Sequence, residues 1–189
     1  MKTNDINELR RENAIVQKKG APFIMASVII WISATVVRVL PITLTGRNFL
    51  TFCCSMLLIP LAFIFSKIIG ADIFRKTENP INKLGFLCTM NQMLYLLIVM
   101  WAYSQKPESM FMLYAMVFGA HLLPFSWVYE SKTYLVMSLV TTIGSLVIGN
   151  LFGEVFMGVF MTLCQIVTSV MLLHECKKLS STKTLAVEL

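Results

Sequence analysis

Six polar side chains lie inside long apolar runs of the sequence, where a polar group needs a hydrogen-bonding partner or a function. Amide, hydroxyl and imidazole groups both donate and accept hydrogen bonds, so such a set either lines a path for polar solutes or joins helices. Depth is counted from the end of each run that lies on the same side as the two chain termini. On this count all six residues lie about 12 Å deep, at 1.5 Å per residue. This candidate polar layer consists of Asn91, Gln92, His121, Thr141, Thr142 and Gln165.

Two interpretations of the polar layer stay open. In the first, the side chains hydrogen-bond across helices, and each contributes roughly 0.6–2 kcal/mol. In the second, they form a site or pathway that opens to the cytoplasm. His121 is the best single candidate for a functional residue, because a histidine changes its charge readily near neutral pH. No Asp or Glu lies in these runs, which argues against a proton- or cation-coupled carrier.

One pair of opposite charges stands at the other edge of the apolar runs. Arg38 lies near the end of the first run, and Glu154 lies at the start of the last. The simplest expectation for Arg38 is that its long side chain reaches the membrane interface. We also predict an ion pair between Arg38 and Glu154 on the outer face.

The sequence lacks the patterns of common catalytic sites. It contains no phosphate-binding GxxxxGK[ST] motif, no GxSxG and no HExxH. The five cysteines have no metal-ligand spacing, so we interpret them as apolar, space-filling thiols. We interpret His174-Glu175-Cys176 as polar residues on the protein surface rather than as a metal site. We therefore expect no enzyme activity, no cofactor and no metal site.

Composition indicates how these residues are positioned. The chain is 57% hydrophobic and only 14% charged, which does not suit a water-exposed surface. A helix needs about 20 apolar residues to cross a bilayer, and six segments qualify. We therefore predict an all-α polytopic bundle of six transmembrane helices, at Ala21–Leu40, Phe49–Ile69, Leu84–Tyr103, Met110–Tyr129, Thr133–Phe152 and Val155–Leu173.

Positive charge predicts the orientation. Of the sixteen Lys and Arg residues, all but Arg38, Arg47 and Lys106 fall on the side that holds both termini. Because cytoplasmic loops of membrane proteins are enriched in Lys and Arg, both termini are predicted to be cytoplasmic. The net charge of +6 is explained by this topology, so we expect no nucleic-acid partner.

The regions outside the spans divide the chain into three parts. Residues 1–20 form a basic segment, which is either a short helix on the inner leaflet or a solvated tail. The transmembrane domain covers residues 21–173. Residues 174–189 are predicted to be a flexible cytoplasmic tail.

Prolines and small residues add expectations about packing. Pro60 and Pro124 each lie inside a span and predict kinks. Ser145, Gly149 and Gly153 recur at every fourth residue, a small-residue face that favours close approach of another helix. That neighbour is either in this chain or in a second copy, which makes a homo-oligomer one expectation.

Six segments carry a resemblance to known proteins: Glu8-Leu9-Arg10, Lys18-Lys19-Gly20 with Pro22-Phe23, Ile29-Ile30-Trp31, Leu84-Gly85-Phe86, Asn91-Gln92-Met93-Leu94-Tyr95 and Gly119-Ala120-His121-Leu122-Leu123-Pro124. They look like segments of a family of small, uncharacterised bacterial multi-pass membrane proteins. The resemblance implies a bacterial cytoplasmic membrane, and it assigns no activity and no site residue.

Two classes of function follow for a protein embedded in the lipid bilayer. The leading hypothesis is transport or permeation of a small solute through the polar layer. The alternative is a non-transporting regulatory or structural membrane protein that acts through partners or lipid.

Overall fold

The chain is helical throughout, with no strand, over the residues that the computed structural model describes, which are 3–73, 75 and 78–185. Side chains are described for residues 5–73, 75 and 78–179. A single 3-10 turn, Lys18–Gly20, joins the first two helices. The helices are α1 (Thr3–Val16), α2 (Ala21–Val39), α3 (Leu44–Ser55), α4 (Leu58–Ile69), α5 (Pro80–Gln105), α6 (Met110–Val128), α7 (Lys132–Leu151) and α8 (Glu154–Leu185).

The predicted six spans are confirmed as helical segments that are long and apolar enough to cross a membrane. They are Lys18–Val39, Leu44–Ile69, Pro80–Gln105, Met110–Val128, Lys132–Leu151 and Glu154–Leu179. Short connections make neighbouring spans antiparallel. One end of the bundle therefore holds α1, the 70–79 segment, the 129–131 turn and the last turns of α8. We call it the basic end, and the other the opposite end.

Local sequence explains why helices start outside the apolar limits predicted for them. The Thr43 hydroxyl accepts a hydrogen bond from the backbone N–H of Gly46 and so caps α3. The helix therefore begins at Leu44, five residues before the predicted start at Phe49. Asn79 caps α5 in the same way through the N–H of Ile81, and Pro80 occupies the first turn. Capping by polar residues therefore lengthens both helices beyond their apolar cores.

The second span is broken, as a proline inside it predicts. Helix α3 ends at Ser55 and α4 begins at Leu58, two residues before Pro60. Proline has no N–H to donate and its ring crowds the preceding turn, so the regular hydrogen-bond ladder stops there. Pro124 acts differently, because α6 remains one helix through it, from Met110 to Val128.

Two apolar clusters form the core. Towards the opposite end, Trp31 of α2 is fully buried against the rings of Phe111, Tyr114 and Phe118, with centroids 5.4–5.7 Å apart. Near the basic end, a second cluster includes buried residues from α1, α2, α5, α6, α7 and α8, together with Tyr129 of the 129–131 turn. Helix α2 packs against α8, α3 and α4, while α6 packs against α5 and α7.

The chain is helical near both termini, and α1 is the short helix that was one of the two alternatives for the N-terminal segment. Helix α1 docks on the protein itself, because Leu9 packs against the second core cluster and Asn13 is buried. The predicted flexible tail is helical as far as Leu185, since α8 continues without interruption. Residues 1–2 of the N-terminal segment and 186–189 of that tail lie outside the described residues.

Candidate functional site

Gln165, the most buried member of the predicted polar layer, joins α8 to α2. Its side chain is fully buried, and its Oε1 accepts a hydrogen bond of 3.3 Å from the hydroxyl of Ser27. Its Nε2 atom has no hydrogen-bond partner. The Ser27 hydroxyl also reaches the carbonyl of Ile24 at 2.7 Å. The carbonyl oxygen of the Gln165 amide thus joins α8 to α2, while its NH₂ group is left without a hydrogen-bond partner.

The two threonines lie where α7 meets α6. Thr141 is fully buried, and its hydroxyl donates 2.6 Å to the carbonyl of Met137 in its own helix. The Thr142 hydroxyl is buried with no partner. A Cβ atom at Gly119 of α6 would stand 2.6 Å from both hydroxyls, so the helices approach more closely than any side chain allows. Glycine is required here by packing.

His121 faces an aromatic neighbour. The side chain of this α6 residue is half-buried, and its ring meets Phe125 edge-on with the centroids 5.0 Å apart. No hydrogen bond joins its imidazole to another described residue. The ring contact of His121 is therefore apolar, and no described carboxylate is hydrogen-bonded to its imidazole.

Asn91 and Gln92 belong to α5, the span that contributes least to the core. Only Ile81, Val99 and Ala102 of this helix are buried. Gln92 is half-buried, whereas Asn91 is exposed at the surface of the bundle. Asn91 therefore does not point towards the interior that holds Gln165.

The six residues consequently occupy separate environments. Among the described residues, no hydrogen bond joins any two of the six. Gln165 contacts α2, the two threonines lie against α6, and Asn91 is exposed at the protein surface. One small cavity lies elsewhere, at the basic end, among Glu12, Asn13, Gln17 and Asn79. Its volume of about 10 Å³ suits a single water molecule. Of the six, Gln165 makes a hydrogen bond to another helix, and the described contacts of the others do not converge on one space.

The opposite end is organised around Arg38. Its side chain is fully buried rather than extended to an interface, because four acceptors surround the guanidinium. Nη1 donates 2.7 Å to Asn48 and 3.1 Å to Glu154. Nη2 donates to the Thr51 hydroxyl and, at 3.2 Å, to the Arg47 carbonyl.

The Arg38 network extends across four helices. Asn48 donates 2.9 Å to the carbonyl of Pro107, just before α6, and the Phe111 ring lies 4.2 Å from the guanidinium carbon. Arg47 makes a second ion pair with Glu154, at 3.6 Å. The roles of Asn48, Thr51 and Phe111 were missed from sequence, because uncharged residues near a turn give no signal of a charged partner.

The basic end has its own set of polar contacts, which hold α1 in place. Arg10 forms a 3.0 Å ion pair with Glu130, and its Nε donates 2.8 Å to the Trp127 carbonyl. Gln17 accepts a 2.6 Å hydrogen bond from the Tyr129 hydroxyl. Burial raises the pKa of Tyr129 well above its ordinary value, so the phenol remains a donor.

Lys19, in the turn before α2, forms an ion pair with the C-terminal part of α8. Its ammonium lies 2.7 Å from Glu175, whose other carboxylate oxygen accepts 2.6 Å from the Thr133 hydroxyl. The His174-Glu175-Cys176 cluster is thus divided: His174 is exposed, while Glu175 and Cys176 face the protein. Within the described residues, no group of three or more His, Cys, Asp or Glu side chains is placed to hold a metal ion.

The turn between α1 and α2 carries backbone strain. Lys18 and Lys19 have φ angles of 47° and 51°, and Gly20 follows at 69°. The left-handed region costs roughly 1–2 kcal/mol for a residue with a side chain. This turn reverses the chain so that α1 lies across the basic end, and the contacts of Arg10, Gln17 and Lys19 stabilise that position.

The small-residue face of α7 packs largely within the chain. Ser145 is fully buried and its hydroxyl lies 3.3 Å from the sulfur of Met161. A Cβ at Gly149 would stand 2.6–2.8 Å from Met157 and Met112, whereas Gly153 has open space around it. The close approach that this spacing predicts is therefore made by α6 and α8.

Comparison with other proteins places most of the helical unit in one family. No curated protein and no solved structure matches the chain. A family model matches residues 6–175, which cover most of α1, the first five spans, most of the sixth and the residues of both polar networks. The chain therefore belongs to DUF7010, a family of unknown function.

Proposed function

We propose that this chain is a non-transporting membrane protein, structural or regulatory, that acts by binding partners in or beside the bilayer. The observation that carries the proposal is the dispersal of the six polar residues over separate contacts. A permeation path for polar solutes needs such groups to converge on one water-filled space. The cavity at the basic end lies outside the spans and has room for one water.

The contacts at the two ends support the same proposal. Alternating access requires one part of a bundle to rock against another. Arg38 and its partners link α2, α3 and α8 at the opposite end, and Lys19 and Arg10 link α1, α8 and the 129–131 turn at the basic end. A bundle tied at both ends is suited to presenting fixed surfaces to a partner.

The proposal includes an orientation. By sequence, thirteen of the sixteen Lys and Arg residues belong to the basic end. We therefore place this end, with both termini, on the cytoplasmic side of a bacterial cell membrane. Reporter fusions after residue 189 and within the 106–109 turn test this directly. Cytoplasmic reporter activity at residue 189 and none at the turn is the expected result; the reverse would contradict it.

Solute permeation is a second candidate, favoured by one specific observation. Besides the Nε atoms of Arg38 and Arg47, the described part of the spans holds four buried polar atoms with no hydrogen-bond partner: Trp31 Nε1, Thr142 Oγ1, Gln165 Nε2 and Ser169 Oγ. An unpaired buried polar group costs about 1–3 kcal/mol, so a state in which water or a polar solute reaches these atoms would relieve that cost.

Flux measurements separate the two candidates. Purified protein is reconstituted into vesicles, and uptake and efflux of a broad panel of ions, sugars and amino acids are compared with protein-free vesicles. We expect equal fluxes for wild type, His121→Ala and Gln165→Ala. The matched control is Thr89→Val, which changes an exposed hydroxyl on α5.

A saturable flux in the wild type would overturn the non-transporting proposal. If Gln165→Ala or His121→Ala lowered that flux while Thr89→Val did not, permeation through the polar layer would replace it. Circular dichroism and elution volume confirm that each variant folds before its flux is compared.

A further inference from the structure

Helix α5 carries a seam of exposed residues with the spacing of a coiled coil. Leu87, Asn91, Leu94, Ile98 and Trp101 follow one another at intervals of four, three, four and three residues. This is the alternation of the a and d positions of a heptad. The four apolar members each expose between 51% and 64% of their surface.

Asn91, at the centre of the seam, has no partner in its own chain. Its side chain is exposed, and it makes no hydrogen bond to another described residue. It is the eighth residue of the apolar run that begins at Leu84, so it lies roughly 12 Å deep in that run. A side chain this short does not reach the interface from that depth.

Lipid alone does not satisfy this group. Hydrocarbon chains neither donate nor accept hydrogen bonds, and an unpaired amide in such surroundings is costly. The exposed apolar residues on the seam need no such partner, since lipid solvates them well. Asn91 is therefore the member of the seam that points to a protein occupant.

A second copy of the chain supplies the matching group by symmetry. A carboxamide has both donors and an acceptor, so it is complementary to itself. At a two-fold axis each residue of a seam meets its own copy, which brings the two Asn91 amides together. All copies enter the membrane in one orientation, so the two α5 helices run parallel, the arrangement in which Asn at an a position fixes register.

We infer that this protein forms a parallel homodimer through α5, with Asn91 paired to Asn91 of the second copy and Leu87, Leu94, Ile98 and Trp101 packed around it. The dimer supplies a partner for the function proposed above. Because its test reads association rather than solute flux, either proposal can fail without the other.

The first experiment measures energy transfer between donor- and acceptor-labelled copies of the full chain in phosphatidylethanolamine–phosphatidylglycerol vesicles, over a range of protein-to-lipid ratios. We expect saturable transfer for wild type. Asn91→Leu should raise the apparent dissociation constant about tenfold, the size expected for losing a pair of interhelical hydrogen bonds. Leucine is apolar and helix-forming, so this variant remains insertable.

Thr89→Val is the matched control for Asn91→Leu. Thr89 lies at nearly the same depth of α5 but on a different face, and its hydroxyl is already bonded to the Gly85 carbonyl at 3.1 Å. We expect its association to equal that of wild type. A wild-type chain that stays monomeric at every ratio, with lipid covering the seam, would overturn the inference.

Disulfide trapping locates the interface. In a variant without the five native cysteines, Ile98→Cys lies in the seam and Met100→Cys lies on the far side of the same exposed helix. We expect rapid cross-linking of the first and not of the second, because a disulfide needs Cα atoms about 4.4–6.8 Å apart. Equal cross-linking, or a dimer that Asn91→Leu leaves unchanged, would rule out the α5 seam.

Discussion

Replacing Glu154 with glutamine removes the one carboxylate, among the side chains that the structure describes, that contacts the buried Arg38. The guanidinium would keep Asn48, Thr51 and the Arg47 carbonyl as neutral acceptors. Glutamine preserves the shape of the side chain and one acceptor, so the change isolates the charge. The positive charge of Arg38 would then be buried without a counter-ion.

The loss of unfolding free energy expected for Glu154→Gln depends on how deeply Arg38 and Glu154 are buried. Removing one partner of a buried ion pair costs roughly 3–5 kcal/mol. The Glu154 side chain is 25% exposed and Arg38 retains its neutral acceptors, so we expect a loss at or just below the lower limit of that range, about 2–3 kcal/mol. Glu130→Gln is the matched control. It breaks the Arg10 pair, whose carboxylate is 46% exposed, and should cost less than about 1 kcal/mol.

The assay is equilibrium unfolding of the purified chain in mixed micelles with increasing sodium dodecyl sulfate. A double-mutant cycle with Arg38→Met and Glu154→Gln gives the coupling free energy between the two residues. We expect a coupling of about 2 kcal/mol. A coupling below about 0.5 kcal/mol, or a loss for Glu154→Gln no larger than that for Glu130→Gln, would refute the view that Arg38 is held by a buried pair.

The remaining predictions use the same unfolding measurement. Gly119→Ala places a Cβ 2.6 Å from two threonine hydroxyls and should cost about 1–3 kcal/mol, whereas Gly85→Ala, 3.8 Å from its nearest neighbour, should be neutral or stabilising. Lys18→Gly should stabilise by up to about 1 kcal/mol because it relieves a positive φ, and Gly20→Ala should destabilise by about 1–2 kcal/mol. Tyr129→Phe should make the loss of stability above about pH 10 shallower, because burial raises the pKa of this phenol and the unfolded chain ionises first.

Each of these expectations has an outcome that contradicts it. Equal effects at Gly119 and Gly85 would mean that α6 and α7 do not approach as closely as described. Destabilisation by Lys18→Gly would show that the lysine side chain matters more than the backbone strain. An unchanged alkaline slope for Tyr129→Phe would mean that other groups carry the titration.

Composition and charge predict most of this fold. A run of about 20 apolar residues has few alternatives to a membrane-spanning helix, so the six spans follow from length alone. The helix break at Pro60 also follows from the chemistry of proline. The ends of α3 and α5 were less predictable, because Thr43 and Asn79 extend these helices by capping, which depends on local geometry.

Contacts between distant residues set the limit of the sequence prediction. Similar depth suggested that Asn91, His121 and Gln165 form one layer, but depth does not fix the direction in which a helix faces. Asn91 faces outward and Gln165 inward because α5 sits at the edge of the bundle while α8 packs on α2. Helical pitch alone cannot supply that rotation when a span is apolar on all sides.

The most direct test of the central claim measures water access to Gln165. The claim is that the polar residues of the spans line no continuous path. Ser27, the hydrogen-bond partner of Gln165, is changed to cysteine in a chain without native cysteines, and a charged, membrane-impermeant thiol reagent is supplied on both sides of the vesicles. We predict that Ser27→Cys stays unlabelled while the exposed control Thr45→Cys reacts to completion. Labelling of both at similar rates would reveal a water-filled path to Gln165 and contradict the account.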